Sequence, residues 1–532
     1  MYVVSVAEMR AAEAAAAAAG ITEDALQARA GAAVAEVAQR LCPSGNVVVL
    51  AGVGNNGRDG WVAARNLAAA GRQVRLYLAP RHALSEAELA AFLAVGGAVL
   101  VHTGEETAAT LRAWLAEAAL AIDALLGIGA RGAARPPLSD LIALLNAAAA
   151  DRRLRVLAVD VPSGIDADTG AVPGEAVRAD ATVVLGGVKR GLLRFPAAAL
   201  AGVLYAGDIG LPPGVLASCP VQVLDRAAVR AEVPRRPPEA HKGTFGRVLV
   251  AGGCAAYYGA PYLAGAAAAR AGCGLVAFAA APALQAVLAS LLPEATYVPL
   301  PEGAPDRQAE TAAEAVIKAL DSAQVLLIGP GLGRSEGARE FTRRVLLERA
   351  ARRPDLPVVV DADALYFLAQ EQALWDRLGA GLILTPHHGE MARLTGEAPS
   401  AIAAEPWEVA RAAAARWGQV VVLKGPFTAI GTPDERAWVL ARPNPALATG
   451  GTGDVLAGTI AGLLAQGLSP LAAARVGVYV HAAAAEAVLA DAQRDLLLAS
   501  DLLPALARVL GELRLERGDT RPAGWAPWAG RL

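Results

Sequence analysis

Cysteine is scarce. The chain of 532 residues has four, at positions 42, 219, 254 and 273, with no C-x-x-C spacing. A disulfide framework is therefore excluded, and a reducing cytoplasm is the expected location. Histidine is nearly as rare, with six in all, and the His387-His388 pair has no third histidine or matching cysteine nearby. That argues against zinc. Charge is low and balanced, with 19% charged residues, a net charge of -3 and a pI near 6.2. No basic surface for nucleic acid is advertised. A secretory signal is not expected either. The run Ala14–Ala19 follows closely on Glu8, Arg10 and Glu13 and reads as a helix. Two long apolar runs, Ala271–Pro293 and Val455–Ala474, raise the membrane question. The first breaks at Gly272, Gly274 and Pro282; the second contains Gly458-x-x-x-Gly462 but also Gln466, Gly467 and Pro470. Both are expected to be buried elements, with no membrane partner.

What is present is apolar residue, 55% of the chain, enough to bury more than one core. Short β-branched runs recur, each followed by glycine and a helical pattern: Asn46–Ala51, Val74–Leu78, Leu120–Ala124, Val156–Val161 and Ala181–Leu185. This rhythm predicts a parallel α/β sheet. It pauses at the proline-rich stretch 233–239 and restarts at Arg247–Ala251, Leu275–Ala279, Val325–Ile328, Val358–Val360, Leu382–Leu384 and Val420–Leu423. The fold class is α/β, with a domain over 1–228, a linker over 229–240, a second domain over 241–512 and an irregular tail over 513–532.

The segment V-L-A-G-V-G-N-N-G-R-D-G (Val49–Gly60) contains G-x-G-x-x-G. A dinucleotide cofactor site also wants an acidic residue about 20 residues on. The next strand ends Tyr77-Leu78-Ala79-Pro80-Arg81, without one. The turn itself carries Asn55, Asn56 and Asp59, more polar chemistry than a tight turn needs. Further polar groups follow later strands: Asp123, the Gly127–Gly132 loop, Asp160-Val-Pro-Ser163-Gly164 and Lys189-Arg-Gly191. Carboxyl ends of parallel strands share one edge, where ligands bind. Asn56, Asp123 and Ser163 are thereby candidates to meet around one hard cation, although Ser163 equally suits a helix cap.

The set N-N-G-R-D-G, D-A-L-L-G-I-G, D-V-P-S-G and K-R-G-L, in this order, resembles the YjeF N-terminal family of NAD(P)HX epimerases over residues 1–225. The resemblance implies a three-layer Rossmann-like domain that takes hydrated nicotinamide nucleotide as substrate. It implies potassium on Asn56, Asp123 and Ser163, and substrate contacts from Asn55, Asn56, Gly57, Arg58, Asp59, Gly127, Ile128, Gly129, Ala130, Arg131, Gly132, Ala133 and Asp160. Asp160 and Lys189 become the candidate proton handlers.

In the second half, Thr449-Gly-Gly-Thr-Gly-Asp454 opens an apolar helix, a place for a phosphate, with Asp454 set to deprotonate an attacking hydroxyl. G-P-G-L-G (Gly329–Gly333), D-A-D (Asp361–Asp363), T-P-H-H-G-E (Thr385–Glu390) and K-G-P-F-T (Lys424–Thr428) also end strands. Asp361, Asp363 and Glu390 are candidates for Mg²⁺, through water. With H-K-G-T-F-G-R-V-L-V-A-G-G (His241–Gly253) and Y-x-G-A-P (Tyr257–Pro261), these motifs resemble the ribokinase-like ADP-dependent NAD(P)HX dehydratases from 241 to about 510. The resemblance implies a second three-layer domain with hydrated-nucleotide contacts from Ala260, Gly333, His387 and Asp454. ADP contacts fall on Lys424, Gly425, Pro426, Phe427, Thr428 and Gly453, with Asp454 catalytic. His388 stands where the family has proline. The expected partners are NADHX or NADPHX, ADP as co-substrate, K⁺, Mg²⁺ and further copies of the chain. The alternative is an ATP-dependent kinase of small alcohols with a nucleotide-binding first half.

Overall fold

A computed structural model describes residues 1–82, 84–151, 153–492 and 495–517. The chain divides into two compact units, the first ending at Val223 and the second beginning at Leu224. The stretch expected as a linker, 229–240, begins inside a structured element. Residues Arg226–Glu232 form a helix capped by Asp225, and Val229 and Val233 are buried in the second unit's core. Apolar anchors at this spacing are packing, not tether. The helix Ala499–Glu516 runs into the expected tail; from 518 onward the tail lies outside the described residues.

In the first unit seven parallel strands run in the order Ala98–Val101, Val74–Leu78, Asn46–Ala51, Ala118–Ala124, Arg155–Val159, Ala181–Leu185, Val203–Gly207. Successive side chains of a strand point to opposite faces. Val47 and Val49 pack with Ala64 and Leu67 of helix Asn55–Ala69 on one face. Val48 and Leu50 pack on the other with Leu111, Leu115, Leu141 and Leu145 of helices Glu105–Ala116 and Leu138–Ala148. The strand order reverses between Asn46–Ala51 and Ala118–Ala124, which opens a crevice at their carboxyl ends.

In the second unit the order is Ala437–Val439, Ala429–Gly431, Val420–Leu423, Leu382–Leu384, Val358–Val360, Val325–Ile328, Arg247–Ala251, Leu275–Ala280, Thr296–Pro299. Ala429–Gly431 pairs antiparallel with both of its neighbours, Ala437–Val439 and Val420–Leu423. The order reverses between Val325–Ile328 and Arg247–Ala251. The Gly458-x-x-x-Gly462 pattern seats helix Thr452–Ala465 on helix Gly259–Ala271. A Cβ at Gly458 would lie 2.0 Å from the Ala264 carbonyl oxygen, and one at Gly462 2.5 Å from that of Ala268. Among the described residues one helix, Pro470–Asp491, is long and apolar enough to cross a membrane by length and composition, and 67% of its apolar window is buried inside the protein.

Candidate active sites

The first site lies at the strand-order reversal of the first unit. Helix Asn55–Ala69 starts after Gly54 with no side-chain cap, so its first N–H groups are left for a ligand. Gly57 is a packing residue: a Cβ there would lie 2.0 Å from the Gly52 carbonyl oxygen. The facing strand carries fully buried Asp123. Its carboxylate accepts from Ser163 Oγ at 2.6 Å, Ser163 N at 2.8 Å and Leu125 N at 3.2 Å. Ser163 Oγ accepts from Leu126 N at 2.8 Å, and Asn56 Nδ2 donates to the Leu126 carbonyl at 2.9 Å. Asn56, Asp123 and Ser163 thus converge on one loop, as the sequence suggests. Burial pushes Asp123 up to about 6, against the hydrogen bonds from Ser163 and Leu125.

Asp160 follows its strand in the left-handed region, φ 65°. For a residue with a Cβ this conformation is costly and marks functional sites. Its Oδ1 accepts from Leu185 N at 2.9 Å and from Lys189 Nζ. Lys189 also donates to the Leu185 carbonyl at 2.8 Å. The short parallel pairing of Val3–Val4 with Val188–Lys189 holds that lysine in place.

These groups line a cavity of about 1310 Å³ that includes Asn55, Asn56, Asp59, the whole loop Gly127–Ala133, Asp160 and Lys189. Gly57, Arg58, Asp123 and Ser163 are outside its lining, the last two lying behind Leu125 and Leu126. Arg58 reaches instead to Gln27 at 3.1 Å and Glu88 at 3.2 Å. Arg10, Glu13 and Arg135 also face the cavity, and the sequence reading gave them no role there. The carboxylates Asp59 and Asp160 are buried, whereas Arg10, Arg131 and Arg135 are exposed. Burial, then Asp160 and Glu13, push Asp59 up to about 8. Burial raises Glu13 too, against Lys189.

The second site lies at the carboxyl edge of the second sheet. Asp361 Oδ1 accepts from Lys424 Nζ at 2.9 Å and Thr385 Oγ1 at 2.7 Å. Glu390 Oε2 lies 3.8 Å from the same ammonium. Burial pushes Lys424 down, but Asp361 and Glu390 outweigh it and hold the ammonium above its usual range. Gly453 is adjacent, since a Cβ there would lie 3.3 Å from Lys424 Nζ. Helix Thr452–Ala465 begins after Gly451 with no side-chain cap, and Asp454 sits in its first turn. Burial and then Asp361 push Asp454 up to about 7, against Lys424. His387 and Glu390 form a reciprocal cap: His387 Nδ1 accepts from Gly389 N at 2.9 Å, and Glu390 accepts from His387 N at 2.8 Å. His387 Nε2 also lies 3.5 Å from Glu390 Oε1.

Of the two aspartates in D-A-D, Asp363 is committed to Gly333 N at 2.9 Å and Arg334 at 3.2 Å. It braces the G-P-G-L-G turn and is poorly placed to serve a cation. Ala260 lies beside that turn, 3.1 Å from a Cβ built at Gly331. In the K-G-P-F-T turn Thr428 Oγ1 donates to the Gly425 carbonyl at 3.1 Å; Pro426 is exposed and Phe427 buried. His388 packs on this turn, its Nε2 2.7 Å from a Cβ built at Gly425. His481, on the apolar helix Pro470–Ala492, also escaped the sequence reading. Its Nε2 donates to the Thr452 carbonyl at 2.9 Å, and burial pushes it down to about 4.

A family model described as YjeF-related protein N-terminus matches residues 23–191, and one described as NAD(P)H-hydrate dehydratase matches residues 248–508. The bifunctional NAD(P)H-hydrate repair enzyme Nnr of Salinibacter ruber is 41% identical over 487 residues, spanning 88% of this chain and 87% of that protein. Its Escherichia coli counterpart is 33% identical over 512 residues, spanning 96% and 93%. A Bacillus subtilis ADP/ATP-dependent NAD(P)H-hydrate dehydratase, crystallised with ATP and Mg²⁺, aligns over 55% of this chain and 99% of its own. That alignment has 34% identity and a TM-score of 0.47.

Proposed function

The chain belongs to the bifunctional NAD(P)H-hydrate repair enzymes, and from that premise we propose how its two units divide the work. The first interconverts the C6 epimers of hydrated NADH or NADPH. The second dehydrates one epimer back to the reduced nucleotide.

In the first unit the buried end of the cavity, with Asp59, Asp160 and Lys189, takes the hydrated nicotinamide ring. The exposed arginines and the Gly127–Ala133 backbone suit the pyrophosphate. Asp160, oriented by Lys189, handles the proton. Asp123 is a buried carboxylate with no cationic partner at its oxygens among the contacts above. With Asn56 Oδ1 and Ser163 Oγ it makes a hard-oxygen set that fits K⁺. A cation there supplies fixed positive charge beside the loop that holds the ligand.

In the second unit ADP lies along Lys424–Thr428 and Gly453, its phosphates at the open helix start. Asp454 takes the proton of the C6 hydroxyl, whose oxygen attacks the β-phosphorus of ADP. AMP leaves, and the ring nitrogen's electron pair then expels phosphate while a C5 proton is lost. Lys424 steadies the charge that moves to phosphate oxygen. Asp361 spends only Oδ1 on Lys424 and Thr385. Its Oδ2, with Glu390, suits a water-bridged Mg²⁺, which would neutralise the nucleotide's phosphates. Four free thiols support a reducing compartment.

The observation that carries the reading is the convergence on Lys424 of an uncapped helix start and an aspartate poised near neutrality. A small-alcohol kinase is the less supported alternative, since relatives matching both units are named repair enzymes. The test mixes protein, K⁺, Mg²⁺ and both NADHX epimers with ADP or ATP and follows reduced-nicotinamide absorbance. Full recovery supports both activities. Recovery that stops at one epimer's share removes the first, and no recovery with either donor overturns the reading.

A further inference from the structure

We propose that Asp59 is the general acid of the first unit, protonating the C6 hydroxyl so that it departs as water; this rests on the epimerase reading of that unit. The geometry carries it. Asp59 lies on helix Asn55–Ala69, and the cavity it lines also receives Glu13 from helix Val6–Ala18, Glu23 from helix Glu23–Leu41, Asp160 after its strand, and Lys189. Among the described residues that line this cavity Lys189 is the buried cation, whereas Arg10, Arg81, Arg131 and Arg135 are exposed, and the Lys189 ammonium is spent on Asp160 Oδ1 and the Leu185 carbonyl. Arg10 acts on Glu13 from its exposed position. Asp160 is thus paired with a cation, while Asp59 lines the same cavity, equally buried, without a cation of its own. Carboxylates that crowd one low-dielectric space cannot all ionise, and the proton stays on the one lacking a partner. Burial and the neighbouring Asp160 and Glu13 keep that proton on Asp59 up to about pH 8.

A proton held there does what the reaction needs. Asp59 gives it to the hydroxyl oxygen; the C6–O bond breaks with its electron pair leaving on water. The lone pair of the ring nitrogen forms the C6=N bond, and the resulting cation faces carboxylates. Water then adds to the other face of C6; Asp160 takes its surplus proton and passes it to the Asp59 carboxylate. Nothing is oxidised or reduced, and the acid is regenerated.

The experiment follows epimer interconversion of the full chain with K⁺ but without ADP, so that dehydration is silent. Asp59→Asn should lower kcat by roughly 10²–10⁴-fold with KM within a few-fold, and Asp59→Glu should recover part of it. Wild-type kcat should fall as pH rises through about 8, a limb missing in the Asn variant. Wild type run in ¹⁸O-water should gain one solvent oxygen at C6 per inversion, a result that needs no variant to fold. Inversion without oxygen exchange, or an Asn variant within about threefold of wild type, overturns Asp59 as the acid and leaves the epimerase reading standing. Wild type that fails to invert either epimer overturns both.

Discussion

Both units set a lysine against an aspartate at the carboxyl edge of a parallel sheet, and the two pairs are turned opposite ways. In the first, the Lys189 side chain is 1% exposed and that of Asp160 11%. In the second, Lys424 is 19% exposed and Asp361 2%. The first pair hides its cation and offers a carboxylate; the second hides its carboxylate and offers an ammonium. An offered carboxylate suits proton transfer and a ring that becomes cationic, and an offered ammonium suits phosphate. One architecture therefore serves two chemistries through which member of the pair faces the ligand.

The largest effect that would break the comparison is at Asp454. Asp454→Asn should cut ADP-dependent recovery of NADH by about 10³-fold or more while ADP affinity, measured calorimetrically, stays within a few-fold. Retained recovery would leave the second site without its base. Next is Lys189→Met. It strands a buried carboxylate and should destabilise the first unit by about 3–5 kcal/mol, seen as a lowered midpoint in denaturant. Adding Asp160→Asn should restore most of that stability but none of the epimerisation. If the single variant melts like wild type, the pair does not hold Asp160 in place.

The pH dependences sharpen the contrast. Asp454 is active as carboxylate, so dehydration should rise as pH climbs through about 7 and then level off. The slope below that point should approach tenfold per unit. Epimerisation should move the other way, falling above about 8 as Asp59 loses its proton. Parallel profiles for the two activities would contradict the opposite use of acid and base.

Legibility in the sequence follows burial. Strands covered on both faces, such as Val47–Ala51, Val325–Ile328 and Val358–Val360, read as unbroken apolar runs and fall where the spacing places them. The edge strands Ala98–Val101, Val203–Gly207 and Thr296–Pro299 do not stand out: they are partly exposed, and in a chain this rich in alanine, valine and leucine the short runs A-V-L-V and V-L-Y-A do not separate from helical segments. The hairpin strands Ala429–Gly431 and Ala437–Val439 are buried, but A-I-G and A-W-V lack the consecutive β-branched residues that mark the equally short Val358–Val360. Site residues at strand ends, Asp123, Asp160 and Lys424, stand out because the parallel sheet collects them on one edge, and Asp454 because a glycine-rich turn sets it in the first turn of a helix. Glu13 and His481 did not. Each lies inside a helix rich in alanine, and only tertiary packing turns it toward a site. Arg58 is placed differently from Asn55, Asn56 and Asp59 of its motif: they line the cavity while it spans to Gln27 and Glu88.

The smallest expected effect concerns His481. A carbonyl only accepts, so the bond to Thr452 fixes the proton on Nε2, and burial keeps the ring neutral down to about pH 4. His481 touches no ligand group and acts by holding the first helical residue of the turn that carries Asp454. Removing one such neutral hydrogen bond with His481→Phe should cost about 1 kcal/mol, hence less than about tenfold in kcat. The rising pH limb assigned to Asp454 should keep its position in this variant, since a ring already neutral there has no charge to withdraw. A limb displaced by half a pH unit or more would mean that His481 tunes Asp454 electrostatically. It would then stand with Lys424 as part of what sets the second site's proton affinity.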